Sequence, residues 1–283
     1  MKRFKKDDTY HIVYDSLADF FANTDPNKPP ADMHSSNKSN HIEVKSSERQ
    51  WRFGNDNTRE NFYEKRTDPN KGRGICADAV KGVMADKSYK SLIKQAVTYR
   101  KRIKYEDHGF RLNVSKAISG EDRIFGVYKN SRKPTVKIAI NICGSACVGQ
   151  NDFINVAKTA IPTIYALETA GISTEVYYTA FASETHKDSA DYTGTHVLIK
   201  SAQQRFSWAT FAPVFCLGSY RESIFLSWIY SDMEVSRGLG IPMENYQLEH
   251  KDNYGYTSII GLNAVGPASV VKEIFKKIKN KEC

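Results

Sequence analysis

The chain has 283 residues, 40% of them hydrophobic, and carries 41 Lys+Arg against 32 Asp+Glu for a formal net charge of +9; this is enough apolar material for one large domain or two ordinary ones, and it excludes a disordered or fibrous chain. There is no apolar run of about 18 residues, and the opening "MKRFKKDDTYHIVYDSLADFF" has no continuous apolar core, so neither a membrane-spanning helix nor a secretory signal is expected and the protein is read as cytoplasmic. Five cysteines at mostly wide spacings, Cys76, Cys143, Cys147, Cys216 and Cys283, are unlike a secreted disulfide framework, and reduced thiols are expected.

The charge is uneven. Residues 1–135 carry 28 Lys+Arg against 18 Asp+Glu, or +10, leaving 13 against 14, or −1, for the rest. The positive field of the first half favours polyanionic partners.

In chain order, "YHIVYDSLADFFANT" reads as a short β-rich stretch, then a helix capped by Asp15 or Ser16 with Leu17, Phe20 and Phe21 on its apolar face. Residues 25–40, "DPNKPPADMHSSNKSN", have almost no large apolar groups and are expected to be a mobile loop. Trp51 and Phe53 then mark a small core. From residue 57 to about 104 the apolar spacing is helical, broken at "TDPNKGRGI". Residues 87–105 are the most basic segment: Lys87, Lys90, Lys94, Arg100, Lys101, Arg102 and Lys104 interleave with Tyr89, Tyr99 and Tyr105. Lysine and arginine neutralise phosphates, and aromatic faces stack on unpaired bases. Lys87, Lys90, Lys94, Tyr99, Arg100, Lys101, Arg102 and Lys104 are therefore the candidate contacts to a single-stranded nucleic acid, with "MKRFKK" and "KKIKNK" as basic tails adding nonspecific attraction. Residues 1–132 are read as a basic, mostly helical region.

After Pro134 the pattern becomes strand, loop, helix. "TVKIAINI" reads as a buried strand, and "DFINVAKTAIPTIYALETAG" as a helix with a kink or restart at Pro162 and a C-cap at Gly171. "ISTEVYYTAFAS" follows as a second strand. A polar loop is expected over residues 184–195, then a strand at "HVLIKS", a helix at "GSYRESIFLSWIYSDM" with Ser219 and Glu222 as a capping box, a late strand at "YTSIIGLN" and a final helix at "PASVVKEIFKKIKN". Alternation of this kind predicts an α/β fold over residues 133–283, a mainly parallel sheet covered by helices on both faces. Ligands of such sheets bind outside the carboxyl ends of the strands, where Lys200 and Arg221 could meet an anion, although ordinary surface charge is the expected role of both.

The loop after the first of these strands, "NICGSACVGQND", is the candidate site. A phosphate cradle would need converging glycines and a lysine, yet Gly144 and Gly149 are followed by Gln150 and Asn151. Cys143 and Cys147 are spaced C-x-x-x-C, outside the C-x-x-C redox pattern. His108, His186, His196 and His250 are too scattered for a zinc site, and "LGSYRE" lacks the G-x-S-x-G elbow of a serine nucleophile. Glu121 and Asp122, adjacent in "SGED", read as a solvated turn. No reaction is assigned.

The order of apolar strand, "NICGS", amphipathic helix and strand ending "TAFAS" resembles the von Willebrand factor A domain. In that family the first strand ends in D-x-S-x-S, which holds a divalent cation. On this chain Asn141 stands at the Asp position, Cys143 replaces the first Ser and Ser145 matches. The resemblance thus implies a degenerate site with weak Mg²⁺ binding or none, because the carboxylate and one hydroxyl are missing. The stretches "LNVSKAISGEDRIF", "YALETAGISTEVYYTAFAS", "HVLIKSA" and "FAPVFCLGSYRE" are also similar to a group of uncharacterised phage-type proteins. These resemblances imply a fold and a viral or mobile-element origin, with the host cytoplasm as the location of a phage-encoded protein, and no reaction. In the nucleic-acid reading, which rests on the charge asymmetry and the interleaved tyrosines, the A-like half is a platform that recruits a phage polymerase or another protein partner of a transcription or replication complex. The competing expectation is an interaction or assembly module with no nucleic-acid contact.

Overall fold

A computed structural model describes residues 1–6, 9–33, 35–46, 81, 85, 87, 89–91, 93–94, 103–106, 111–112, 114–120, 125–128, 134–143, 148–183, 192–216, 218–231, 241–242, 254–263 and 266–282. An N-terminal hairpin comes first. β1 (Lys2–Lys6) pairs antiparallel with β2 (Thr9–Tyr14), so "MKRFKK" is an ordered strand and not a tail. Helix α1 (Leu17–Asn23) begins at Ser16, whose hydroxyl accepts the Asp19 backbone N–H at 3.0 Å, and buries Phe20 and Phe21.

Where the sequence suggests only loop, α2 (Ser35–Ser46) forms. It has no strong apolar face: Val44 alone reaches a small cluster with Leu226, Ile229 and Tyr230, and buried polar bonds add to it, Asn37 donating to the Ile229 carbonyl at 3.1 Å and His41 meeting the Pro26 carbonyl at 3.0 Å. β3 (Ile103–Glu106), β4 (Arg111–Leu112) and β5 (Phe125–Tyr128) form a separate three-stranded antiparallel sheet in the order β3-β5-β4, with the short helix α3 (Val114–Ile118) between β4 and β5 in the chain. The helical reading up to residue 104 is therefore corrected, since Lys104 pairs with Val127 in β3.

The main sheet contains β6 (Thr135–Asn141), β7 (Ser173–Ser183), β8 (Tyr192–Lys200) and β10 (Ser258–Ile260), and its order is β1-β2-β8-β7-β6-β10. The two-residue β9 (Ile241–Pro242) pairs with the end of β7. β10 with β6, β6 with β7, and β2 with β8 are parallel; β7 with β8, β1 with β2, and β9 with β7 are antiparallel. The sheet is thus mixed, where a mainly parallel one was expected. Two features make it so: β8 returns as an antiparallel neighbour of β7, starting within the expected polar loop, and the N-terminal hairpin extends the sheet beyond β8.

Helix α4 (Gln150–Thr169) joins β6 to its parallel neighbour β7 and runs unbroken through Pro162. It ends as expected at Gly171, φ 81°, where Ile172 N–H donates to Leu167 O and Gly171 N–H to Glu168 O, both at 3.0 Å. The chain continues through α5 (Trp208–Phe211), a 3₁₀ turn (Ala212–Phe215), a π-helical turn (Ser219–Ile224), α6 (Phe225–Ile229) and finally α7 (Pro267–Glu282).

Alternation along each strand divides the sheet. Val136, Ile138, Ile140, Val176, Tyr178 and Ala180 face the main core, where α1, α4, α5, α6 and α7 bury their apolar sides. Among the described residues this helical layer lies on one face, not both. The other face carries a smaller cluster of Ala139, Tyr177, Phe181 and Tyr256, with Tyr192, Leu198, Tyr254 and Ile259 packed against it. No helix among the described residues is long and apolar enough to cross a membrane.

Candidate functional site

Lys87, Lys90 and Lys94 are helical and exposed, and their spacing of three and four residues places them on one helix face. Tyr89 does not share that face. It is 2% exposed and its hydroxyl donates to the Pro162 carbonyl of α4 at 2.8 Å; burial, with Tyr165 nearby, pushes its pKa upward. It anchors this helix to the core and is not a stacking surface. Tyr99, Arg100, Lys101 and Arg102 lie outside the described residues, and Lys104 belongs to β3.

At the end of β6, Asn141 is buried and in register with Thr179 of β7. The Cys143 thiol is also buried and donates to the Phe181 carbonyl at 2.7 Å. A neutral amide and a thiol committed to a strand carbonyl are poor replacements for the hard oxygen ligands of Mg²⁺. Ser145 and Cys147 lie outside the described residues, among which no group of three or more His, Cys, Asp or Glu side chains could hold a metal ion. The Gly149 N–H donates to the Asp152 carboxylate at 2.8 Å, so the first turn of α4 supplies its own negative charge where an anion would sit.

The flanking cations are structural. Arg221 is buried and its guanidinium donates to the Val148 carbonyl, while the Gln150 amide donates to the Phe215 carbonyl at 2.8 Å. These bonds tie the loop after β6 to the segment of 3₁₀ and π-helical turns. Ser219 donates its hydroxyl to Pro213 O, and Gly218 occupies the cap position, so the expected Ser219–Glu222 capping box does not form. Lys200 ends the antiparallel β8, and so lies at the opposite end of the sheet from Asn141. It is 2% exposed, 2.8 Å from Glu168 Oε1, and donates to Thr174 O at 2.9 Å and Ser201 O at 3.2 Å.

The densest polar cluster lies on the sheet face away from the main core, where sequence reasoning had no signal. His11 of β2 and His196 of β8 are both fully buried, with His11 Nδ1 2.8 Å from His196 Nε2. His196 Nδ1 is 2.6 Å from the Tyr256 hydroxyl. The tautomers are linked: if Tyr256 donates to His196, then His196 donates to His11, and reversing the first bond reverses the second. Burial, then His11 and then Lys137, hold the His196 pKa well below its ordinary value, so the ring is neutral.

Gly194 makes room for this arrangement. It sits opposite His11 in the β2–β8 register, and a Cβ there would be 2.7 Å from the Phe181 ring and 3.1 Å from His196 Nε2. Tyr254 stacks on His196 with centroids 4.3 Å apart and planes at 26°. The Lys137 ammonium is 4.4 Å from the Tyr254 ring centroid and 3.9 Å from Glu175, which also accepts the Tyr177 hydroxyl at 2.8 Å. The cluster presents rings and ammonium groups, and no nucleophile paired with a base emerges from it. Gly194 inside an aromatic strand is the one mark of it a sequence displays, as a place where side chains crowd the backbone.

No curated protein and no solved structure matches the chain. The model of the family described as Domain of unknown function (DUF7192) matches residues 3–281, and the chain belongs to that family.

Proposed function

We propose that this protein binds single-stranded nucleic acid without catalysing a reaction. The reading rests on the concentration of positive charge, +10 over residues 1–135. The exposed Lys87, Lys90 and Lys94 on one helix face, and four cations in the five residues of β1, support it. In this reading the basic residues 1–132 contact the phosphates. Residues 133–283 are a phage-type, von Willebrand A-like platform that recruits a polymerase or another protein of a transcription or replication complex in the host cytoplasm. In that assignment the β6–α4–β7 unit, two parallel strands joined by a long helix, is the first strand, helix and second strand of the A-like domain. Mg²⁺ is bound weakly or not at all.

The test is a salt titration of binding to single- and double-stranded oligonucleotides, with and without Mg²⁺. Affinity is expected to fall linearly in log–log form as salt rises, and charge reversal at Lys87, Lys90 and Lys94 is expected to weaken binding and flatten that slope. Binding that these reversals leave unchanged would refute a role for the helix. A second reading, an assembly module, is favoured by Val114 and Ile118, which are 60% and 82% exposed and one turn apart on α3. Copurification of a defined protein, with no oligonucleotide retained at about 0.15 M salt, would select it.

A further inference from the structure

Strand β1 alternates at the edge of the main sheet. Lys2, Phe4 and Lys6 fall on the side that carries the histidine pair, and Arg3 and Lys5 on the other, where Arg3 donates to the Tyr230 carbonyl at 3.0 Å. Phe4 is 38% exposed, unusually open for a large aromatic residue in a strand. Its ring lies on His11, with centroids 5.1 Å apart and planes at 25°, and Tyr254 joins the layer at 6.3 Å and 30°. Tyr254 rests in turn on the buried His196. The exposed ring is therefore backed by other rings that hold it in place, and Lys2 and Lys6 flank it two residues away on either side, about 7 Å along the strand. Lys2 pairs with Asp15 at 3.2 Å, but both side chains are about two-thirds exposed, at 69% and 64%, and such a pair yields to a phosphate at little cost.

We infer that Phe4 is a stacking platform for an unpaired base, with the neighbouring phosphates on Lys2 and Lys6. This rests on the nucleic-acid reading above and assigns that reading a site on β1, separate from the basic helix. Three features select the ligand. β1 holds Lys2, Arg3, Lys5 and Lys6 and no acidic residue, which calls for an anion. An open ring face calls for a flat partner, and bases offer their faces freely only when unpaired. Support from His11 and Tyr254 removes most of the ordering cost of the platform before binding. An anionic membrane would attract the same lysines, but a ring lying flat against His11 on a strand does not project as an interfacial anchor does.

The experiment measures fluorescence anisotropy of a labelled oligothymidylate longer than about 16 nucleotides, and of a duplex of equal length, at about 0.15 M salt. The proteins are wild type, Phe4→Ala, Phe4→Trp and Lys2→Ala/Lys6→Ala, each checked for an unchanged melting temperature. Phe4→Ala is expected to weaken single-strand binding roughly 5- to 150-fold, the worth of one stacked base, and duplex binding by less than about twofold. Phe4→Trp is expected to retain single-strand affinity, and the double lysine variant to reduce the single-strand salt slope by about 1.4. Wild-type binding that Phe4→Ala leaves intact refutes this site and leaves the nucleic-acid reading standing. If wild type binds neither oligonucleotide, both fall. Retention by phosphatidylserine vesicles in place of the oligonucleotide assigns the surface to membranes and overturns the inference.

Discussion

His196 makes the stability of the fold pH-dependent in a calculable way. In the unfolded chain it titrates near its ordinary value of about 6.5, whereas in the fold burial, His11 and Lys137 hold its pKa well below that. Below about pH 6.5 the unfolded state therefore binds a proton that the folded state refuses, and stability falls as pH falls, by about 1.4 kcal/mol per pH unit once the unfolded ring is fully charged. Between pH 7 and pH 5 this amounts to about 2 kcal/mol from one buried imidazole, provided the folded ring stays neutral throughout. Urea unfolding of wild type and His196→Gln at pH 7, 6 and 5 measures it. Titrating groups that do not touch His196, including the carboxylates, cancel in the difference, and a parallel pair carrying His11→Gln separates the contribution of its hydrogen-bonded neighbour. Wild type is expected to lose about 2 kcal/mol more than the variant across that range. A difference that is flat with pH to within about 0.5 kcal/mol would refute the reasoning, because it would mean that the folded state accepts the proton as readily as the unfolded one.

Gly194→Ala is expected to cost about 1–3 kcal/mol in denaturant unfolding, since its Cβ would lie 2.7 Å from the Phe181 ring; an unchanged midpoint would mean that the Phe181 ring moves aside freely. Glu168→Gln, which leaves the buried Lys200 ammonium without its carboxylate, is expected to destabilise by about 3 kcal/mol, whereas joint Lys200→Met/Glu168→Gln, which keeps an amide oxygen for the Thr174 N–H and hydroxyl, should cost much less. A double variant as unstable as the single one would show that packing, and not charge compensation, governs the site.

The features legible from sequence were those set by neighbours along the chain. The Ser16 cap, the helix ending at Gly171, and the strands on either side of α4 all follow from residue type and spacing over a few turns. β1 reads as a tail because "KRFKK" has one apolar residue, and what makes it a strand is its pairing in the hairpin and the docking of β2 on β8. α2 carries no apolar period because its anchors are the single Val44 and the buried Asn37 amide on the Ile229 carbonyl, a contact 192 residues away in sequence. The same holds for the candidate site. Tyr89 lies in a basic, tyrosine-bearing run, yet its hydroxyl sits on Pro162; Phe4, His11 and His196 meet through strand register, and Tyr254 joins them from the turn before β10. Lys200 and Arg221 read as surface or cleft charges, and both are buried struts.

The place of the hairpin in the sheet also bears on how the protein is made. β2 precedes its partner β8 by a long stretch of chain, with His11 and His196 185 residues apart. Until β8 has been synthesised, Ile12 and Tyr14, which the fold buries in the main core, and Val13 on the opposite face of β2 have nothing to dock on. At ribosomal rates of about 5–20 residues per second, the wait lasts roughly ten seconds or more. Unpaired edges left open that long template aggregation, and lysine-rich edges resist it by mutual repulsion. The four cations of β1 are therefore expected to act before the fold is complete, by keeping copies of this segment apart. Neutralising them would lower the soluble yield from the ribosome even where the finished protein is unharmed.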